Sequence, residues 1–350
     1  MNSVTLTNFR GIDKLTVPLA RATMLTGSNG VGKTSILEGL YCLFSETRLD
    51  VSPLARYSRR IGVLERYTGP TDHYTFNYNL FWDECPKYGD TSCSVTAQFN
   101  NLNWEWTYRK VNNLSELPPE LTASANPPGW HVDSQTTFAL WDWNIQGDEQ
   151  NSRAQSLATH LHMGLHIFPV ENKARSFCKY IDFATIRARP TKLTFQTSKM
   201  LTEALRLINP HVTDIRFEGA ESGLSVILND EYSTSLDTLG NGAVTLVNVL
   251  VVIFETLETQ SRTMPDAPFF VLIDEIGAAM HHSVMLDVWK YLRALSEKYP
   301  CLHFVTTSHS SDCIEAFCEA FKDKIDSNEA KLIRLHKTET EIVATEETHS

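Results

Sequence analysis

Residues 27–34 read GSNGVGKT and satisfy the spacing G-x-x-x-x-G-K-[ST]. No other stretch of the chain restricts its fold so tightly. The glycines let the backbone curl until successive N–H groups converge on one anion. Lys33 brings a positive charge to the far end of a phosphate chain, and Thr34 brings a hydroxyl suited to Mg2+. Chance produces such a match about once per hundred chains of this length at ordinary residue frequencies, so the flanks matter. Before the loop, ATMLTG is a short apolar run; after it, Ile36, Leu37, Leu40, Leu43 and Phe44 recur at helical spacing. Strand, glycine loop, helix is the order that phosphate binding requires, because a helix N-terminus favours negative charge. The residues expected to touch nucleotide are Ser28, Asn29, Gly30, Val31, Gly32, Lys33, Thr34 and Ser35.

Two further stretches suit the same chemistry. FFVLIDE, residues 269–275, begins with five apolar residues, the pattern of a strand buried on both faces of a parallel sheet. It ends in two carboxylates. Acids there can simply reach solvent, but beside a phosphate loop they have work to do. Asp274 is expected to share Mg2+ with Thr34, and Glu275 to act on the attacking water. LHFVTTSHS, residues 302–310, is another apolar strand that runs into a turn carrying His309. A lone histidine is most often solvated or structural. This one follows the next strand, where the carboxyl ends of a parallel sheet collect ligand-binding groups. Catalytic roles are therefore expected for Lys33, Glu275 and His309.

TLGNGAVTL, residues 238–246, has two readings, a tight turn or an anion site. AVTLVNVLVVIFETLE, residues 243–258, is valine-rich, and propensity alone favours a strand. Its length exceeds that of an ordinary strand and suits a buried helix. A buried helix that starts with Gly240, Asn241 and Gly242 presents bare N–H donors. The alternative is a helix cap with no ligand.

The balance of 31 basic against 42 acidic residues, net −11, excludes a surface that grips nucleic acid everywhere and permits a local basic groove. Basic residues gather in RYSRR, 56–60, and at Lys173, Arg175, Lys179, Arg187, Arg189 and Lys192; DNA contact or a solvated face both fit. No apolar stretch approaches membrane-spanning length, and MNSVTLTNFRGIDK lacks the pattern of a secretory signal. Seven cysteines without a CxxC pair read as reduced thiols, so the expected setting is cytoplasmic. HLHMGLH, 160–166, and His281-His282 lack the accompanying ligands of a metal site.

Together the motifs resemble the ABC-type ATPase heads of the RecF, SMC and OLD (overcoming lysogenization defect) group. TNFRGIDKLTVPL, 7–19, looks like that group's N-terminal strand pair, and GKTSILEGL, 32–40, is close to its wording. DEIGAAMHHS, 274–283, resembles the turn after Walker B in OLD-like heads, and TTSHSSDCIEAF, 306–317, the switch-histidine region. The resemblance implies an α/β P-loop NTPase head with a mostly parallel core sheet, an antiparallel β subdomain and a helical lobe. It implies ATP and Mg2+ as cofactors, and Arg10 as a phosphate contact. It also implies that Leu239, Gly240, Asn241 and Gly242 form an ABC signature reaching ATP on an opposite subunit in a head-to-head dimer or larger oligomer.

A single head is expected, in three stretches: 1–112 with the P-loop and β subdomain, 113–192 with an insertion and helical lobe, and 193–350 with signature, Walker B and switch histidine. Residues 73–80, 92–99 and 103–110 alternate as antiparallel strands do, 113–150 read as an irregular insertion, and no heptads support a long coiled coil. Gln98 reads as structural, and 167–177 is placed at the lobe junction by chain order alone. The stretch after the switch region is too short for the Toprim nuclease of OLD proteins. The resemblance then implies a sensor or regulator of a separately encoded effector, a nuclease or other toxin, in prokaryotic anti-phage defence. A RecF-like DNA repair ATPase and an ATP-bound scaffold with negligible turnover are the alternatives, and no membrane partner is expected.

Overall fold

A computed structural model describes residues 2–45, 64–67, 73–76, 90–111, 138–146, 152–161, 164–169, 176–182, 193–219, 223–278 and 280–347. The chain divides into two compact units. One comprises Met1–Leu19, Glu38–Ala174 and His336–Ala344; the other comprises Ala20–Leu37, Arg175–Leu335 and Thr345–Ser350.

The first unit is built on a seven-stranded sheet. Its strands are β1 (Asn2–Phe9), β2 (Ile12–Leu19), β6 (Ser92–Phe99), β7 (Leu102–Val111), β8 (Phe138–Gln146), β9 (Ser152–Leu161) and β10 (Gly164–Pro169), in the order β10-β9-β8-β7-β6-β1-β2. Every pairing with a recorded register is antiparallel. Alternation sets the buried face: Cys93, Val95, Ala97 and Phe99 point inward along β6, with exposed or half-buried neighbours between them. Strand β8 lies in the stretch expected to be irregular and extends this sheet. A hairpin of β4 (Leu64–Tyr67) and β5 (His73–Phe76) pairs apart from it.

Residues 38–44, the later part of helix α1 (Lys33–Phe44), pack on that sheet. A Cβ at Gly39 would lie 2.9 Å from Leu6 Cδ2 and 3.3 Å from Val95 Cγ2, so the glycine sets how closely the helix approaches. Phe44 then meets Trp104 edge-on, with ring centroids 5.1 Å apart.

The second unit carries the glycine loop, Asp274, Glu275 and His309. Its six-stranded sheet contains β3 (Ala22–Thr26), β11 (Phe177–Asp182), β15 (Phe269–Asp274), β16 (Leu302–Thr307), β17 (Ala330–Lys337) and β18 (Ile342–Glu347), in the order β11-β15-β16-β3-β17-β18. The first five run parallel. Strands β3 and β16 are buried at every position, as is β15 up to Ile273, which explains their unbroken apolar sequences. Strand order places the ends of β15 and β16 beside β3, the strand that feeds the glycine loop.

Helices α2 (Phe195–Leu205), α3 (Asn241–Thr263), α4 (His282–Lys298), α5 (Ser311–Ala320) and α6 (Lys322–Asp326) complete this unit, with a three-stranded sheet of β12 (Val212–Phe217), β13 (Leu224–Leu228) and β14 (Tyr232–Ser235). The described parts of 113–192 are all strand, and these helices follow residue 193. The valine-rich segment is the helix α3, seven residues longer than the sequence pattern suggests. Burial of Val247, Leu250, Ile253, Phe254 and their neighbours outweighs the β preference of valine. Helix α3 has 23 residues and contains an 18-residue window of mean hydropathy 1.6, long and apolar enough to cross a membrane, which corrects the expectation that no stretch approached that length. Two thirds of that window is buried within the protein, as in a core helix. Trp289 of α4 packs edge-on against Phe317 of α5, centroids 5.1 Å apart.

His303 on β16 is buried and stacks on Phe270, centroids 5.2 Å apart. Burial, reinforced by the charge of Arg21, pushes its pKa down from 6.5 to about 4. The native ring is thus neutral where the unfolded ring already takes a proton. Its contribution to stability is complete above pH 6.5 and is lost as pH falls towards 4. Denaturant titrations at pH 7 and pH 5 should show the parent losing about 2 kcal/mol more than His303→Phe. Equal losses would mean that His303 does not govern this window.

Candidate nucleotide-binding site

The glycine loop joins β3 to α1. Gly27, Gly30 and Gly32 have φ of 136°, 77° and 96°, a region that L side chains rarely adopt. Gly27 is required for space as well, since a Cβ there would run into the Leu335 carbonyl oxygen. Ser28, Asn29 and Gly30 are exposed, while Val31 anchors the loop in the core. Lys33 is buried, and its ammonium donates to the carbonyls of Gly27 at 2.8 Å and Ser28 at 3.1 Å. The cation is therefore held over the loop before any phosphate arrives. The first turn of α1 carries no acid to compete for its unsatisfied N–H groups.

Strand order brings the distant motifs to this loop. The Thr34 hydroxyl donates to Asp274 Oδ2 at 3.0 Å. A hydroxyl and a carboxylate at that spacing fit Mg2+, which takes oxygen ligands and commonly only one or two from protein, the rest coming from phosphate and water. Glu275 lies next, with φ 56° in the left-handed region. A glutamate there is strained by roughly 1–3 kcal/mol, and such residues cluster where geometry serves a task. Its Oε2 lies 2.5 Å from His309 Nδ1. A carboxylate only accepts, so the imidazole proton sits on Nδ1; Nε2 can donate to a phosphate only in the imidazolium form. Asp274, Glu275, Thr34 and His309 thus form one connected edge, as the sequence implied.

Two hydroxyls on that edge were given no role of their own by the sequence. Tyr180 on β11 donates to Asp274 Oδ2 at 3.0 Å, and Thr307 on β16 donates to Oδ1 at 2.6 Å. Both sit in runs that read as ordinary strand, and only strand order reveals them.

Gly240 has φ 89° and caps α3 after a single 3-10 turn, Leu236–Leu239, with no side chain bonded to the free N–H groups. It is exposed, as is Asn241, and a Cβ on Gly240 would meet nothing within 4 Å. Its glycine is needed for backbone conformation. No hydrogen bond joins Gly240, Asn241 or Gly242 to residues 27–35 of the same chain.

Arg10 lies in the β1–β2 turn of the antiparallel unit. Its φ is 57°, it is buried, and its Nε lies 3.1 Å from Glu38 Oε2. The structure pairs it with a buried carboxylate. His281 accepts from the Ser283 N–H and caps α4, a structural use. Among the described residues no cluster of three or more His, Cys, Asp or Glu could hold a metal. Gln98 lies on the exposed side of β6. RYSRR, the basic residues 173, 175, 187, 189 and 192, the part of the lobe-junction stretch from 170 to 175, and the stretch 113–137 lie outside the described residues, as do the side chains of HLHMGLH.

Residues 1–162 match the family model of an AAA ATPase domain. No curated protein matches the chain. Among solved structures, it is similar to an SMC head domain from Thermotoga maritima, with 12% identity, 99% of this chain and 98% of that chain covered, and a TM-score of 0.48. It is also similar to the recombination mediator protein RecF of the RecFOR pathway, with 8% identity, 99% and 97% coverage, and a TM-score of 0.44.

The strain at Glu275 yields a test that separates fold from function. Asparagine tolerates the left-handed region better than glutamate. Glu275→Asn should match or exceed the parent in unfolding free energy by denaturant titration, while any nucleotide hydrolysis falls by about 10²-fold or more. A loss of stability above about 1 kcal/mol would make Glu275 a residue of the fold.

Proposed function

We propose that the chain binds ATP with Mg2+ at residues 27–35 and hydrolyses it. The observation that carries this reading is the hydrogen bond from Thr34 to Asp274, which joins the glycine loop to the acidic strand end, with the Glu275–His309 pair beside it. In this reading the loop N–H groups and Lys33 bind the β- and γ-phosphates, and Thr34 and Asp274 hold the metal. Mg2+, when bound, neutralises phosphate charge. Glu275 takes the proton of the attacking water, and His309 orients Glu275 and, in its imidazolium form, donates to the γ-phosphate.

A head-to-head dimer completes the proposal. The exposed N-terminus of α3, at Gly240–Gly242, would meet the ATP held by a second copy. From the resemblance to OLD-like heads we further propose a cytoplasmic sensor or regulator whose partner is a separately encoded effector, a nuclease, in anti-phage defence. Co-purification of that nuclease with the tagged protein tests this setting.

The nucleotide site itself is tested directly. Lys33→Ala should raise the ATP dissociation constant by roughly 10–100-fold, because a charged donor is lost. An unchanged constant would remove the loop from consideration. For the dimer, Gly242→Arg should be inactive yet bind ATP at its own Lys33. Mixing it with Lys33→Ala puts both lesions into one composite site of a mixed dimer and leaves the other site intact. Under random exchange about half the dimers are mixed, so activity should recover to roughly a quarter of the parent value. Full activity of Gly242→Arg alone would show that the glycine pair is only a turn.

A further inference from the structure

Three hydroxyls divide the two oxygens of the Asp274 carboxylate. Oδ2 receives Thr34 and Tyr180, each at 3.0 Å, and Oδ1 receives Thr307 at 2.6 Å. Thr307 is fully buried, at 0% exposure. Its hydroxyl oxygen also accepts the Glu275 backbone N–H at 2.8 Å. An amide N–H can only donate, so the single hydroxyl proton of Thr307 is committed to Asp274. That bond is charge-assisted and correspondingly strong. The Thr307 carbonyl accepts from the Ile276 N–H at 2.9 Å, so this one residue holds the backbone on both sides of the Glu275–Ile276 peptide.

Two consequences follow from these bonds. With Oδ1 occupied by Thr307, the carboxylate turns Oδ2 towards Thr34. With its N–H anchored, Glu275 is kept at φ 56°, the conformation in which its carboxylate meets His309. Tyr180, buried at 4% exposure, donates to the same carboxylate.

We propose that Thr307 is a positioning residue for ATP hydrolysis, setting the direction of the metal-binding carboxylate and the backbone of the base through one hydroxyl. Tyr180 positions the carboxylate only. The inference rests on the Mg-ATP reading above and adds two residues assigned no role from the sequence. A residue that merely supported the strand would affect unfolding, whereas these bonds predict separable effects on metal affinity and on chemistry.

The experiment compares the full-length parent with Thr307→Val, Thr307→Ser and Tyr180→Phe. Mn2+ affinity is measured by electron paramagnetic resonance with ATP present, and single-turnover hydrolysis at saturating Mn2+. Thr307→Val should weaken Mn2+ binding and slow the saturated rate, each by about 10-fold or more, the range seen when groups supporting a metal ligand are removed. Thr307→Ser should restore both to within about threefold, since it keeps the hydroxyl. Tyr180→Phe should weaken Mn2+ binding while leaving the saturated rate within about twofold. In a Glu275→Gln background, Thr307→Val should slow hydrolysis no further, because the base it positions is gone. Thr307→Ala replaces valine in the same comparison if the valine variant does not fold. Parent-like Mn2+ affinity and rate in Thr307→Val, or equal losses in Thr307→Ser, would overturn the proposal. A parent that binds Mn2+ and ATP without single-turnover hydrolysis would defeat the hydrolytic reading and Thr307's hold on the base. The Mn2+ constant of Thr307→Val would then still decide its hold on Asp274. A parent that binds no ATP would defeat both.

Discussion

The hydrogen bond from Thr34 to Asp274 closes a separation of 240 residues, and the chemistry proposed for this protein depends on it. It exists only because β16 separates β3 from β15 by a single strand and all three run the same way. Parallel strands put every carboxyl end at one edge, and the loops that leave that edge carry the ligand-binding groups. The glycine loop, the acid pair and the turn that carries His309 are each the exit of one of these strands. A different strand order would leave each motif intact and the site dispersed.

Polar groups at that edge are held by one another. Lys33 rests on two loop carbonyls, Asp274 receives three hydroxyls, and Glu275 is fixed at its N–H and at its carboxylate. Such networks in a partly buried setting cost little reorganisation when charge arrives, which is the condition for electrostatic catalysis. Strain is concentrated in the same place. Glu275 is left-handed without being glycine, and the fold tolerates this because strand β16 supplies a hydrogen-bond partner on each side of it. By contrast, the glycines at 27 and 240 meet their backbone demands without strain.

The N-terminus of α3 poses the converse problem. A long apolar helix buried along most of its length starts at an exposed glycine with no cap. Helix starts ordinarily recruit Ser, Thr, Asp or Asn to satisfy their donors. Here Asn241 stands one position too late to cap, and the preceding Ser235 caps the short 3-10 turn instead. The free donors are accounted for if an anion from outside the protomer meets them, which is why a second copy enters the proposal.

Much was legible in the sequence because it is written locally. The glycine spacing, the apolar runs of β3, β15 and β16, and the helical recurrence after Lys33 each depend on near neighbours, and each formed as read. Helix α3 was legible from length against propensity, though its ends were not, since capping and fraying are settled by packing. Strand β8 was not legible, because a strand in a stretch with weak alternation is defined by its partners, here β7 and β9. Arg10 is found against Glu38, a pairing between the hairpin turn and the helix that no spacing announces. Tyr180 carried no signal, and Thr307 lay in the quoted stretch 306–317 without a role of its own, since tyrosine and threonine are common strand residues. The sequence by itself determined which residues could bind phosphate and metal, through chemistry and short-range geometry. Only the tertiary structure decided which hydroxyls hold Asp274, because contacts across 33, 94 and 240 residues are set by strand order, and strand order is a property of the whole sheet.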